Sequence, residues 1–120
     1  MAEVKKYEGG CHCGKVAFEV SADLDQVISC NCSICTKRGL LLTFVPAEQF
    51  HLRAGEEQAL TDYRFNKKVV QHLFCPVCGV EAFGTGTGPD GKKMYAINVR
   101  CLEGVDLAAL KPAPVDGRRY

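Results

Sequence analysis

Seven of the chain's eight cysteines fall into three short clusters, Cys11-His12-Cys13, Cys30-Asn31-Cys32-Ser33-Ile34-Cys35 and Cys75-Pro76-Val77-Cys78. Thiolates at these spacings are metal ligands, and zinc takes four of them in a closed tetrahedral site. Seven sulfurs overfill one such ion and fall one short of filling two. Four would close a structural site, and three would hold a second zinc with one position open. An open position is what metal-assisted chemistry requires.

The third cluster carries the strongest local signal. A Cys-x-x-Cys turn offers two sulfurs to one ion while its backbone N–H groups point at them. Gly79 suits the positive φ of such a turn, and Pro76 stiffens its first half. A redox role for the pair would need a βαβ setting, and the sequence shows none. Two more ligands complete a four-cysteine site. In an extended chain, residues two apart point the same way, so Cys11 and Cys13 can reach one ion while His12 faces away. His12 is itself a competent zinc ligand and stays an alternative.

The middle cluster packs three thiolates into six positions. Cys30 and Cys32 share a face of an extended segment, and a turn at Ser33-Ile34 brings Cys35 to the same centre. Zinc held by three thiolates is a poor Lewis acid for water, but it keeps a fourth thiol ionised and nucleophilic. The chemistry it suits is activation of a thiol substrate. Cys101 offers the competing arrangement: as a fourth ligand to this set it would seal the site and leave a purely structural module. As a buried small hydrophobe it would leave the site open.

The elements that must position these clusters are short strands. Val16, Phe18 and Val20 alternate on one strand face. Residues 26–30 form a strand that delivers the middle cluster, and residues 40–45 form a buried strand ended by Pro46. Residues 59–65 and 69–74 read as two strands turning at 66–68. Residues 79–84 leave the third cluster as another strand, and residues 93–102 alternate Met94, Ala96 and Asn98 against Tyr95, Ile97 and Val99. Helix is limited to single turns after Cys35, at 46–50 and at 106–110. The expected fold is mainly β.

The chain has 120 residues, which suits one domain. A zinc-binding domain is expected over residues 1–110, followed by an extended C-terminal tail over 111–120. Lys plus Arg number 15 against 14 Asp plus Glu, a net charge of +1, so nothing invites nucleic acid or a membrane surface. No apolar run is long enough to span a bilayer, and the first residues carry no apolar leader core. The expected location is therefore the reducing cytoplasm, where clustered cysteines bind metal before they form disulfides.

The series Gly10-Cys11-His12-Cys13-Gly14-Lys15-Val16, Cys30-Asn31-Cys32-Ser33-Ile34-Cys35 and Phe74-Cys75-Pro76-Val77-Cys78-Gly79, in that order, resembles the glutathione-dependent formaldehyde-activating enzyme family, which includes centromere protein V. The resemblance runs over residues 7–107. It implies a single-domain β-tent of short antiparallel sheets organised around two zinc ions. It makes Cys11, Cys13, Cys75 and Cys78 the ligands of a structural zinc. Cys30, Cys32 and Cys35 become the ligands of a catalytic and more labile zinc. The implied reaction is condensation of glutathione with formaldehyde to S-(hydroxymethyl)glutathione, the work of a carbon–sulfur lyase with a small thiol as its partner. The reading from another class is a non-catalytic, zinc-stabilised binding module.

Other residues carry weaker signals. Lys37 and Arg38 could offset thiolate charge or meet a substrate carboxylate, against a plain solvated basic turn. Ser33 and Thr36 either hydrogen-bond sulfurs or cap the turn. Gly84-Thr85-Gly86-Thr87-Gly88 lacks the Lys-Ser/Thr of a phosphate loop and is expected to be a hairpin loop. His51 and His72 are expected on the surface or in a sheet, and either could shuttle a proton.

Overall fold

Strands dominate the chain because short β-branched and aromatic runs alternate between Gly- and Pro-rich turns. The computed structural model describes residues 4–30, 33–56, 60–63, 71–88 and 90–115. In chain order the elements are β1 (Lys5–Gly10), β2 (Ala17–Ala22), β3 (Ile28–Cys30), α1 (Ser33–Arg38), β4 (Leu42–Pro46), β5 (Phe50–Ala54), β6 (Thr61–Tyr63), β7 (Gln71–Phe74), β8 (Phe83–Thr87), β9 (Lys93–Asn98) and β10 (Ala113–Val115). Short 3-10 turns cover Leu24–Gln26, Ala47–Gln49, Val99–Cys101 and Leu107–Ala109.

The strands form two sheets. A small antiparallel sheet has the order β1-β2-β5, and a larger one runs β10-β3-β4-β9-β8-β7-β6. Among the described residues of the larger sheet, only the contact of β10 with β3 is parallel. The mainly β architecture expected from the sequence is the one observed. The radius of gyration, 13.4 Å, is that of one compact body. Among the described residues, no helix is long and apolar enough to cross a membrane.

Register decides which residues meet. Thr43 pairs with Ile97, Ile97 with Phe83, and Phe83 with Leu73, so these four share one face of the larger sheet. That face packs on Phe18, Val20 and Phe50 of the smaller sheet and on Val16 just before β2, as the alternation of Val16, Phe18 and Val20 requires. Four aromatic rings close the interface: Phe50 stacks on Tyr95 with centroids 4.1 Å apart and tilts against Phe83 at 4.7 Å and Phe18 at 5.1 Å. Fully burying one such side chain stabilises the fold by about 1.5–3 kcal/mol.

Phe44, Ala96, Gly84, His72 and Tyr63 form the matching row on the opposite face. Here a second, smaller cluster of Cys35, Leu40, Leu42 and Ala96 forms, with Ile28, Cys30 and Ile34 packed against it. Helix α1 therefore covers the outer face of the larger sheet, away from the intersheet core.

Several boundaries differ from the sequence reading. Lys5–Gly10 forms β1, which the polar sequence there hides, because it is an edge strand with little to bury. The strand expected over 79–84 begins only at Phe83, and the one expected over 93–102 stops at Asn98. There the Asn98 side chain accepts from the Arg100 amide at 3.2 Å and starts a 3-10 turn. The segment expected as a Gly-Thr loop is strand β8 as far as Thr87. The turn is shorter, closed by the Gly88 amide donating to Lys92 O at 2.8 Å. In the expected tail, Ala113–Val115 pairs with β3, with Pro114 tolerated on this edge strand. The expected turn at 66–68 and the residues 116–120 lie outside the described residues.

Candidate metal centre

The first cysteine cluster sits at the tip of the hairpin of β1 and β2. The last paired residues are Gly10 and Ala17, and the Cys11 amide donates to Val16 O at 3.0 Å. The Val16 amide in turn donates to Cys11 Sγ at 3.3 Å. The third cluster turns between β7 and β8 in the same manner. The Cys75 amide donates to Val80 O at 3.1 Å, Gly79 to Cys75 O at 2.9 Å, and the Val77 amide reaches Cys75 Sγ at 3.4 Å. Each turn ends on a glycine with positive φ, Gly14 at 85° and Gly79 at 79°.

The two turns meet. Cys13 Sγ is 3.6 Å from both Cys11 Sγ and Cys75 Sγ, and the four sulfurs of Cys11, Cys13, Cys75 and Cys78 all lie within 4.8 Å of one another. Sulfurs at the corners of a zinc tetrahedron, each about 2.3 Å from the ion, stand roughly 3.8 Å apart. Donor type, number and spacing thus fit a metal ion. Among the described residues this is the one such cluster. His12 is exposed and outside it.

The local field also fits. Amides of Cys78 and Val77 hold the Cys75 thiol below its usual value. Amides of Val80 and Cys13 bring Cys78 down to about 6. The Lys15 amide draws the Cys13 thiol down, but burial and the neighbouring thiols outweigh it and push that group up to about 11. Thiolates are stabilised where amides converge and crowded where sulfurs converge, and a cation relieves that crowding.

Of the middle cluster, the described Cys30 and Cys35 lie across the sheet. Cys30 ends β3 and Cys35 is buried within α1; both pack on the outer cluster with Leu40, Leu42 and Ala96. Cys32 lies outside the described residues. Cys101 sits in the 3-10 turn after β9 and packs with Cys11 and Cys78 against the intersheet core, not with Cys30 and Cys35. Burial first, then the charges of Cys11, Cys78 and Glu81, push its thiol up to about 11. Cys101 is partly buried there.

Arg38 is not a plain solvated turn residue, because its Nη1 donates to the buried carboxylate of Glu81. His72 is buried in β7 with Nδ1 3.4 Å from that carboxylate, whereas His51 is exposed. Lys37 and Thr36 are exposed on α1. Sequence reading missed Glu81. Its signal was a lone carboxylate in the apolar run Val80-Glu81-Ala82-Phe83, a position that burial forbids without a partner.

The model of the family described as glutathione-dependent formaldehyde-activating enzyme matches residues 6–114. The chain belongs to this family. A crystal structure of a Rhodobacter sphaeroides protein is also similar, with 30% sequence identity and a TM-score of 0.76, over 89% of this chain and 97% of that one. As a glutathione-dependent formaldehyde-activating family member, the chain has a four-cysteine cluster able to hold a metal ion.

Proposed function

We propose that the chain is a zinc-dependent carbon–sulfur lyase that activates glutathione, or a close thiol relative, for addition to formaldehyde. The observation that carries the reading is the family match over nearly the whole chain, joined to the packing of Cys30 and Cys35 in one cluster separate from the core beside the four-sulfur site. In this reading Cys11, Cys13, Cys75 and Cys78 hold a structural zinc. Cys30, Cys32 and Cys35 hold a second zinc in the cytoplasmic enzyme.

Three thiolate ligands give a bound zinc the chemistry of keeping one further thiol ionised and nucleophilic. The protein's share is placement. Strand β3 and helix α1 bring Cys30 and Cys35 onto one cluster, and the exposed rings of Phe44 and Tyr63 lie on the same sheet face. In the overall reaction a bond forms between the thiol sulfur and the formaldehyde carbon. The carbonyl bond becomes single, and the thiol proton ends on the new hydroxyl.

Zinc per chain, measured by elemental analysis after loosely held metal is removed, is the first test. Two ions per chain, with glutathione and formaldehyde condensing faster than their spontaneous reaction, support the proposal. One ion per chain with no rate above background overturns it and favours a zinc-stabilised binding module. Cys32→Ser is expected to keep the fold and abolish the acceleration.

A further inference from the structure

A buried charge network joins α1 to the four-sulfur turn. Glu81 is 5% exposed, and its carboxylate accepts from Arg38 Nη1 while His72 Nδ1 lies 3.4 Å from its other oxygen. The Arg38 guanidinium sits 4.9 Å from the Phe74 ring centroid and 5.9 Å from that of Tyr63. The Glu81 carbonyl accepts from Asn98 Nδ2 at 3.0 Å, so the carboxylate projects from a fixed backbone. A buried ion pair is weak evidence for stability, because apolar replacements are commonly as stable. Its use must lie in what it places.

The sequence positions say what that is. Arg38 ends α1, one helical turn beyond Cys35. Glu81 follows Cys78 closely and His72 precedes Cys75 closely, so the network rests on both shoulders of the second metal-binding turn. Helix α1 has 6 residues, too few to hold a helix in place by itself. Its anchors are the pair with Glu81, the Arg100 Nε donation to Gly39 O at 2.9 Å, and the packing of Cys35 on Leu40, Leu42 and Ala96.

We propose that Glu81 is a positioning residue of the thiol site: through Arg38 it clamps α1, and with it Cys35, to the four-sulfur turn. The inference rests on reading Cys30, Cys32 and Cys35 as that site. Glu81 acts through Arg38 and touches no substrate, while His72 braces its second oxygen.

The test is amide hydrogen exchange by NMR on the zinc-loaded chain, run beside zinc content and glutathione–formaldehyde kinetics. The variants are Glu81→Gln, Arg38→Lys and the double variant Arg38→Met/Glu81→Gln, which orphans no buried charge and so guards against simple misfolding. In the double variant the Leu40 amide, which donates to Cys35 O at 3.1 Å, is expected to exchange about tenfold faster. The Gly79 amide should keep its protection and the four-sulfur site its zinc. The turnover number should fall by a similar factor, and Arg38→Lys should retain most of it. Unchanged Leu40 exchange overturns the clamp, as does faster exchange spread equally to Gly79. Selective loosening of α1 in a chain whose wild type shows no turnover would sink the reaction reading and leave the clamp standing. An active wild type with α1 unaffected in the double variant would sink the clamp alone.

Discussion

Cys13 and Cys75 are 62 positions apart in the chain, yet their sulfurs lie 3.6 Å from each other. Cys13 belongs to the hairpin tip of the small sheet and Cys75 to a turn of the large one. The contact therefore ties the two sheets together at one end, beyond the aromatic interface that closes them in the middle. A metal ion there would replace sulfur crowding by four bonds and lock both turns at once.

Removing one of these four cysteines should therefore cost the fold. Structural zinc sites of this donor set contribute about 10–16 kcal/mol of binding free energy in small domains, against a net stability of about 5–15 kcal/mol for a whole domain. Cys75→Ser, or a strong chelator on the native chain, is expected to abolish the cooperative thermal transition followed by circular dichroism. A variant that melts like the parent would show that the aromatic interface alone holds the sheets.

The interface makes its own prediction. Phe50 touches Phe18, Phe83 and Tyr95, and its ring lies between the two sheets. Phe50→Ala is expected to destabilise by about 3–5 kcal/mol, while Phe50→Leu, which keeps most of the volume, should lose clearly less. Urea titration reads both, and equal losses for the two would mean that the site collapses freely around either residue.

On the outer face of the small sheet, Glu19 accepts from Arg53 and lies 3.4 Å from Lys6. Burial pulls its carboxyl up, and Lys6 and Arg53 more than reverse this, leaving it below the usual carboxylate range. A lowered carboxylate contributes stability above its unfolded value of about 4.3 and loses it as pH falls through the lower folded value. Glu19→Gln should thus melt earlier than the parent by the same amount at about pH 6 and about pH 8, and the difference should fade with added salt. A deficit that changes between those two pH values would show that the Glu19 carboxylate does not carry the effect.

What the sequence disclosed follows from where its signals are local. Cysteine spacing is local, and so are the alternation of Val16, Phe18 and Val20 and the apolar run before Pro46. These gave the mainly β class and the four-sulfur set. Glu81 was illegible because its meaning depends on Arg38, 43 positions away. Strand β1 was hidden because an edge strand facing solvent needs no apolar period. The Gly-Thr strand β8 reads as a loop in the sequence because glycine lowers strand propensity. At Gly84, however, an added Cβ would stand 2.7 Å from Gln71 O, so the neighbouring strand's backbone occupies that space.

Gly79 and Gly10 flank the metal turns and should fail for different reasons when replaced by alanine. Gly79 has φ of +79° and nothing within 4 Å of an added Cβ, so only the left-handed backbone opposes a side chain there. Gly79→Ala is expected to cost about 1–2 kcal/mol, and Gly79→Asn less, because asparagine visits that region more readily. At Gly10 an added Cβ would stand 2.2 Å from Val16 O, the carbonyl that accepts from the Cys11 amide. No rotamer relieves a clash with backbone, so Gly10→Ala must spread the hairpin tip and move Cys11 and Cys13 away from Cys75. It should lower the affinity for zinc in chelator competition, whereas Gly79→Ala should mainly lower the urea midpoint. If both variants bind zinc as the parent does, the hairpin tip is more pliant than the close approach of Gly10 to Val16 implies.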